Sequence, residues 1–137
     1  MRSLHFSDND SEEVDALLKS FNLFEFADVP VAKLSYGQKK ILEIATTQVF
    51  KPRLLLLDEP LAGVGLSEVT RIKDIILSLS KDNILLMIDH NMHFIKELCE
   101  KIFVLHQGKI ICEGSFEELS SDPQVMEAYL GDNNNGR

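Results

Sequence analysis

The residues most able to do chemistry stand at Asp58 and Glu59, directly after Leu54-Leu55-Leu56-Leu57 and directly before Pro60. Four consecutive leucines suit a strand covered on both faces, as in a parallel sheet with helices above and below. Two carboxylates at the end of such a strand lie at the edge where open α/β sheets bind ligands. Asp58 there can hold Mg²⁺ through its water shell, and Glu59 can orient an attacking water and take its proton. Taken alone, the run is also compatible with a buried strand that leaves the core through an acidic turn.

A second group lies upstream, in Leu34-Ser35-Tyr36-Gly37-Gln38-Lys39-Lys40. Ser35 is placed to cap a helix, where free backbone amides and the positive end of the helix dipole favour an anion. Gly37 allows a phosphate to approach the backbone with no side chain in the way. Gln38 adds a polar group, and Lys39-Lys40 a local cationic pair. A third group is Asp89-His90, at the end of the apolar run Ile84 to Ile88. His90 there can donate to a phosphate or orient water, or it can be an ordinary histidine at a helix N-terminus. Asp89 and His90 have no second cluster at metal-ligand spacing. His5, His93 and His106 lack a comparable context and take no role.

An LSxGQ segment, an apolar run ending in Asp-Glu-Pro and a later strand ending in His occur in this order. With them the chain resembles the ATP-binding-cassette (ABC) ATPases, over nearly all of its length from Leu34 to Gly131. The resemblance implies ATP and Mg²⁺ as cofactors, Glu59 as general base, His90 as sensor of the γ-phosphate and Asp58 as the Mg²⁺ residue. It makes Ser35, Tyr36, Gly37 and Gln38 the signature that contacts ATP held by a second nucleotide-binding domain. It also implies membrane permease subunits as partners, and so a cytoplasmic protein on the inner face of the membrane.

Tyr36 stands where many members carry glycine, and this resembles the subgroup serving branched-chain amino-acid uptake. Glu59-Pro60-Leu61-Ala62-Gly63-Val64, Ile88-Asp89-His90-Asn91-Met92 and the ending Asp122 to Gly131 are similar to the same subgroup. Lipopolysaccharide-export ATPases have closely similar loops. Gly65 departs from the family's usual Asp or Asn in the loop that couples the two sites, which puts that coupling in question.

A P-loop, G-x-x-x-x-G-K-[ST], does not occur in the 137 residues. Gly108-Lys109 is followed by Ile110, with no glycine five residues earlier. The expectation is therefore an α/β, partial P-loop NTPase fold: the C-terminal part of the core sheet flanked by helices, plus part of the helical subdomain, without the P-loop strand. Residues 1–50 would be part of the helical subdomain, 51–131 the C-terminal part of the core, and 132–137 a disordered tail. A deletion variant, a split gene product and a decayed copy all fit. Without the P-loop cradle and its lysine, the chain alone is expected to bind ATP weakly and turn it over negligibly. The open sheet edge left behind favours dimers or larger assemblies, and a P-loop-bearing N-terminal segment is a candidate partner.

The elements that must position these groups are legible. From Asp10 or Ser11 a helix would carry Val14, Leu17, Leu18 and Phe21, and Asn22 to Lys33 would be a packed connection. The Ser35 helix would use Leu34, Ile41, Leu42, Ala45 and Val49 as its apolar side, and Pro52 would mark its end. Ser67 would cap a helix carrying Ile72, Ile75, Ile76 and Leu79. Ile84 to Ile88 would be a second buried strand, followed by a short helix through Met92, Ile95 and Leu98. Ile102 to Leu105 and Lys109 to Cys112 would form a hairpin about Gln107-Gly108. Ser115 with Glu118 would make a capping box, and Pro123 would open a last helix ended by Gly131.

Composition sets outer bounds. A 137-residue chain with 45% hydrophobic and 26% charged residues reads as one soluble domain with a real core. No apolar stretch approaches the roughly 20 residues that span a bilayer. Residues 1–6 have no secretory apolar segment, so Cys99 and Cys112 are expected to be reduced. A net charge of −8 disfavours nucleic acid as partner. It weighs against a second hypothesis, the C-terminal lobe of a chromosome-maintenance or DNA-repair ATPase, as does the lack of heptads in residues 1–33. A third is a non-catalytic docking module derived from a cassette.

Overall fold

The computed structural model describes residues 8–131. The expected tail, 132–137, and the first seven residues lie outside the described residues. The chain forms two compact units, divided between Ile88 and Asp89.

In the first unit, α1 (Asp8–Ser20) leads through single 3-10 turns at Phe24–Phe26 and Val31–Lys33 into α2 (Tyr36–Gln48). The helix begins upstream of the expected caps at Asp10 and Ser11, and Val14 is exposed. Phe21 and Leu23, in the turn after α1, are buried, but most of Asn22 to Lys33 is exposed and neither 3-10 turn buries a residue, so the packed connection expected there is packed at its start alone. Arg71 ties that turn down, donating from Nη2 to the Phe21 carbonyl at 3.0 Å and to the Asn22 carbonyl.

α2 buries Gly37, Ile41, Ile44 and Ala45. Of the expected apolar side Ile41 and Ala45 are buried and Leu42 is half-buried, while Ile44 replaces Val49, which lies past the helix end and is exposed. β1 (Leu54–Asp58), α3 (Leu66–Leu79) and β2 (Ile84–Ile88) follow. α3 buries Ile72 and Ile76, with Ile75 and Leu79 half-buried. Its N-cap is Gly65, which offers no side chain, and not Ser67, which falls inside the helix.

β1 and β2 pair in parallel, from Leu54 opposite Ile84 to Asp58 opposite Ile88, and form a two-stranded sheet. The expected double-sided burial does not hold. Leu55 and Leu57 are buried, whereas Leu54, Leu56, Ile84, Leu86 and Ile88 are 51 to 66% exposed. Side chains alternate across a strand. Among the described residues one face of this pair is covered and the other is open, and each strand has a free outer edge.

The second unit contains α4 (Met92–Leu98), the antiparallel hairpin β3 (Ile102–His106) and β4 (Lys109–Gly114), α5 (Phe116–Ser120) and α6 (Pro123–Gly131). Gln107 at φ +47° and Gly108 at φ +75° make the two-residue turn, as read from sequence. Val104, Leu119 and Val125 form the core, with Ile102, Ile111 and Cys112 packed against it. The capping box is present: Ser115 N–H donates to Glu118 Oε2 at 2.8 Å, and Glu118 N–H to Ser115 Oγ at 3.3 Å. α6 starts at Pro123, and Asp122 Oδ1 accepts from the Gln124 amide at 2.8 Å.

Two measurements test this packing. Ile72 has no exposed surface, so Ile72→Ala should lower unfolding free energy by about 2–5 kcal/mol in urea titrations. Glu118 is held below its ordinary pKa of 4.5, first by the Ser115 amide and then by its hydroxyl. A carboxylate with a lowered folded-state pKa stabilises the fold above the unfolded value and loses that contribution as pH falls through the folded value. The melting-temperature gap between wild type and Glu118→Gln should therefore narrow as pH drops below 4.5.

Candidate functional site

α2 begins in a capping box. Ser35 Oγ accepts from the Gln38 amide at 3.1 Å, and Gln38 Oε1 accepts from the Ser35 amide at 2.8 Å. Gln38, expected as a polar contact, thus spends its carbonyl on the cap. Ser35 also donates its own proton, to Glu68 Oε1 on the first turn of α3, at 2.8 Å. Gly37 is buried against the same carboxylate, and a Cβ there would collide with it. The space that Gly37 leaves is therefore the size of an anionic group.

Tyr36 is half-exposed and faces the loop after β1. Its ring Cε1 lies 3.4 Å from where a Cβ at Gly63 would sit, and Gly63 has φ +71°. Lys40 Nζ stands 5.8 Å from the centre of the Tyr36 ring and pairs with Glu43 at 3.4 Å. The cationic pair read from sequence is in part spent locally.

Asp58 is exposed, at the end of β1, and Glu59 follows at φ +42°. Few residues other than glycine adopt that backbone. Here the Glu59 amide donates to the Ile88 carbonyl at 2.8 Å, which extends the β1–β2 ladder past the strand end. Asp58 shares a hollow with Lys40, Glu43, Thr47 and Pro60. Among the described residues there is no group of three acidic, histidine or cysteine side chains that can hold a metal. Asp58 is thus a single exposed carboxylate at this strand end.

His90 lies in the second unit, exposed, between two local turns. The Asn91 amide donates to Asp89 Oδ1 at 2.8 Å, and Asn91 Oδ1 accepts from the His93 amide at 3.0 Å as the cap of α4. Asp89 thereby shapes the turn that carries His90. Cys99 and Cys112 are free thiols. Burial, then the charge of Asp89, pushes the Cys99 pKa up.

Glu68 was not singled out from the sequence. It lies 33 residues from Ser35, and its only linear signal is an acid in the first turn of a helix.

The α/β arrangement of a capped helix feeding a parallel pair that ends in Asp-Glu defines part of a nucleotide-binding cassette. The ABC transporter family model matches residues 2–62. The model for branched-chain amino acid ATP-binding cassette transporters matches residues 109–133. The ATP-binding cassette MJ1267 in its ADP conformation superposes with a TM-score of 0.85 at 28% identity, over 96% of this chain and 54% of that one. The chain is 38% identical over 117 residues to the high-affinity branched-chain amino acid transport ATP-binding protein BraF of Pseudomonas aeruginosa (84% of this chain, 46% of BraF). It is 37% identical over 122 residues to the lipopolysaccharide export ATP-binding protein LptB of Haemophilus influenzae (88% of this chain, 51% of LptB). The chain belongs to the ABC transporter ATP-binding family. It spans about half the length of the curated relatives it matches.

Two glycines of the loop after β1 separate conformational need from tolerance. Gly63→Ala forces a side chain into a left-handed backbone beside the Tyr36 ring, and should cost about 1–2 kcal/mol in urea unfolding. Gly65→Ala has ordinary φ and meets only Ser67 Oγ at 4.0 Å, so it is free of strain and should cost less, about 0.5–1 kcal/mol, for the preference of an N-cap for glycine over alanine.

Proposed function

We propose that this chain supplies the signature and the acidic strand end of an ABC transporter ATPase, in which ATP binding and hydrolysis drive transport across a membrane. The observation that carries the reading is the pairing, in one unit, of a capped LSxGQ helix with Asp58 and Glu59 at the end of β1. The ladder bond to Ile88 fixes the backbone from which Glu59 projects.

Glu59 serves as the base that takes a proton from the attacking water, and His90 orients that water or donates to the γ-phosphate. Asp58 holds the water shell of Mg²⁺. Mg²⁺ supplies neutralisation of phosphate charge when bound. Ser35, Tyr36, Gly37 and Gln38 form the face presented to ATP on a second nucleotide-binding domain, in a homo- or heterodimer. Residues 1–50 act as part of the helical subdomain and 51–131 as the C-terminal part of the core. The assembly works at the inner, cytoplasmic face of the membrane, on permease subunits.

The substrate reading is branched-chain amino acids, supported by the family match over residues 109–133 and the likeness to BraF. The likeness to LptB favours lipopolysaccharide export as a second reading.

The chain alone, having no P-loop motif, should turn over ATP negligibly. Mixed with a separately produced N-terminal cassette segment that carries a P-loop, it should show turnover that Glu59→Gln abolishes. Turnover by the chain alone, or none in the mixture of two folded parts, would overturn the proposal.

A further inference from the structure

The N-terminus of α2 is already served by an anion, and that anion belongs to the chain. The Ser35 hydroxyl has one proton, and gives it to Glu68 at 2.8 Å. Gly37 leaves a gap that the same carboxylate enters, and a Cβ there would be admitted only if that flexible side-chain end moved aside. One contact is a choice of acceptor and the other a matter of shape, and both select Glu68.

We propose that Glu68 is an internal competitor for the signature: its carboxylate holds the place over Ser35 and Gly37, and a nucleotide phosphate enters only by displacing it. The proposal rests on the reading of Ser35 and Gly37 as phosphate contacts. Two anions cannot share a single hydroxyl proton, and at hydrogen-bond separation they repel. Glu68 has a long side chain on the first turn of α3, where its amide bonds to the Gly65 carbonyl. It can swing away without moving the helix, and it keeps the favourable field of the α3 N-terminus when it does. The resting signature is thus screened from small anions. A phosphate must bring enough binding energy of its own to evict the carboxylate.

The test uses the full chain and inorganic tripolyphosphate as probe, with the backbone amides of Tyr36, Gly37 and Gln38 followed by ¹⁵N NMR. Glu68→Gln keeps the shape and removes the charge, and should bind tripolyphosphate at least about tenfold more tightly than wild type. Glu68→Ala should do the same, and serves if the glutamine variant fails to fold. Adding Ser35→Ala to Glu68→Gln should remove the gain. An affinity that is unchanged or weaker in the Glu68 variants, or a gain whose shifts lie away from Gly37 and Gln38, would overturn the proposal. No second cassette segment enters this titration. A failure of ATP turnover in the mixture is therefore a separate outcome, and leaves this result readable.

Discussion

The parallel pairing of β1 with β2 is the constraint on which the acidic strand end depends. Asp58 is set opposite Ile88 by the register, so both strands stop at the same level. The next amide, that of Glu59, reaches the Ile88 carbonyl, and Glu59 itself takes a left-handed conformation at φ +42°. Such a conformation is costly for a residue with a Cβ and persists only where its surroundings determine it. The backbone is held on both sides of that rotation: the Glu59 amide donates to the Ile88 carbonyl at 2.8 Å, and the Glu59 carbonyl accepts from the Ala62 amide at 3.1 Å. The register of two apolar strands thereby fixes where a carboxylate begins, and a shift of one residue would reverse the faces of every side chain on β1.

The second organising feature is the way one helix end disposes of its charges. α2 offers unsatisfied amides at its start, and the Ser35–Gln38 box meets two of them reciprocally. The remaining positive field is met by Glu68, from a helix whose own N-cap, Gly65, contributes no side chain. Glu68 thus lies in the field of two helix starts at once. That accounts for an acid at this position more fully than solvation of α3 alone.

Much of this was legible because it is local. Ser35 with Gln38, Ser115 with Glu118, the Gln107-Gly108 turn and Pro123 each involve residues within a few positions, where spacing fixes geometry. The acidic strand end was legible for a similar reason, since Asp58, the last residue of β1, and Glu59 follow directly on the leucine run. Two kinds of statement failed. The leucine run is apolar on both faces, but composition does not report what covers a face, and Leu54 and Leu56 are open among the described residues. Ser67 looked like a cap by residue type, whereas the chain began α3 two residues earlier, at Gly65.

The Ser35–Glu68 contact was illegible for a different reason, and the reason bears on how such a site works. Nothing in the local sequence relates a helix start to an acid 33 residues on, because the contact exists only once α2 and α3 pack. Ile41 and Ala45 on α2 and Ile72 and Ile76 on α3 are almost wholly buried, so the apolar faces bring the two helices into place. The polar contact at their ends is a consequence. Burial of those side chains is worth more than one hydrogen bond at an exposed serine, on the order of 1.5–3 kcal/mol for each large residue against about 1 kcal/mol. The packing therefore survives loss of the Ser35–Glu68 bond, and the bond can open and close on a scaffold that stays fixed. A polar contact that decorates rigid packing, without maintaining it, is free to change partners.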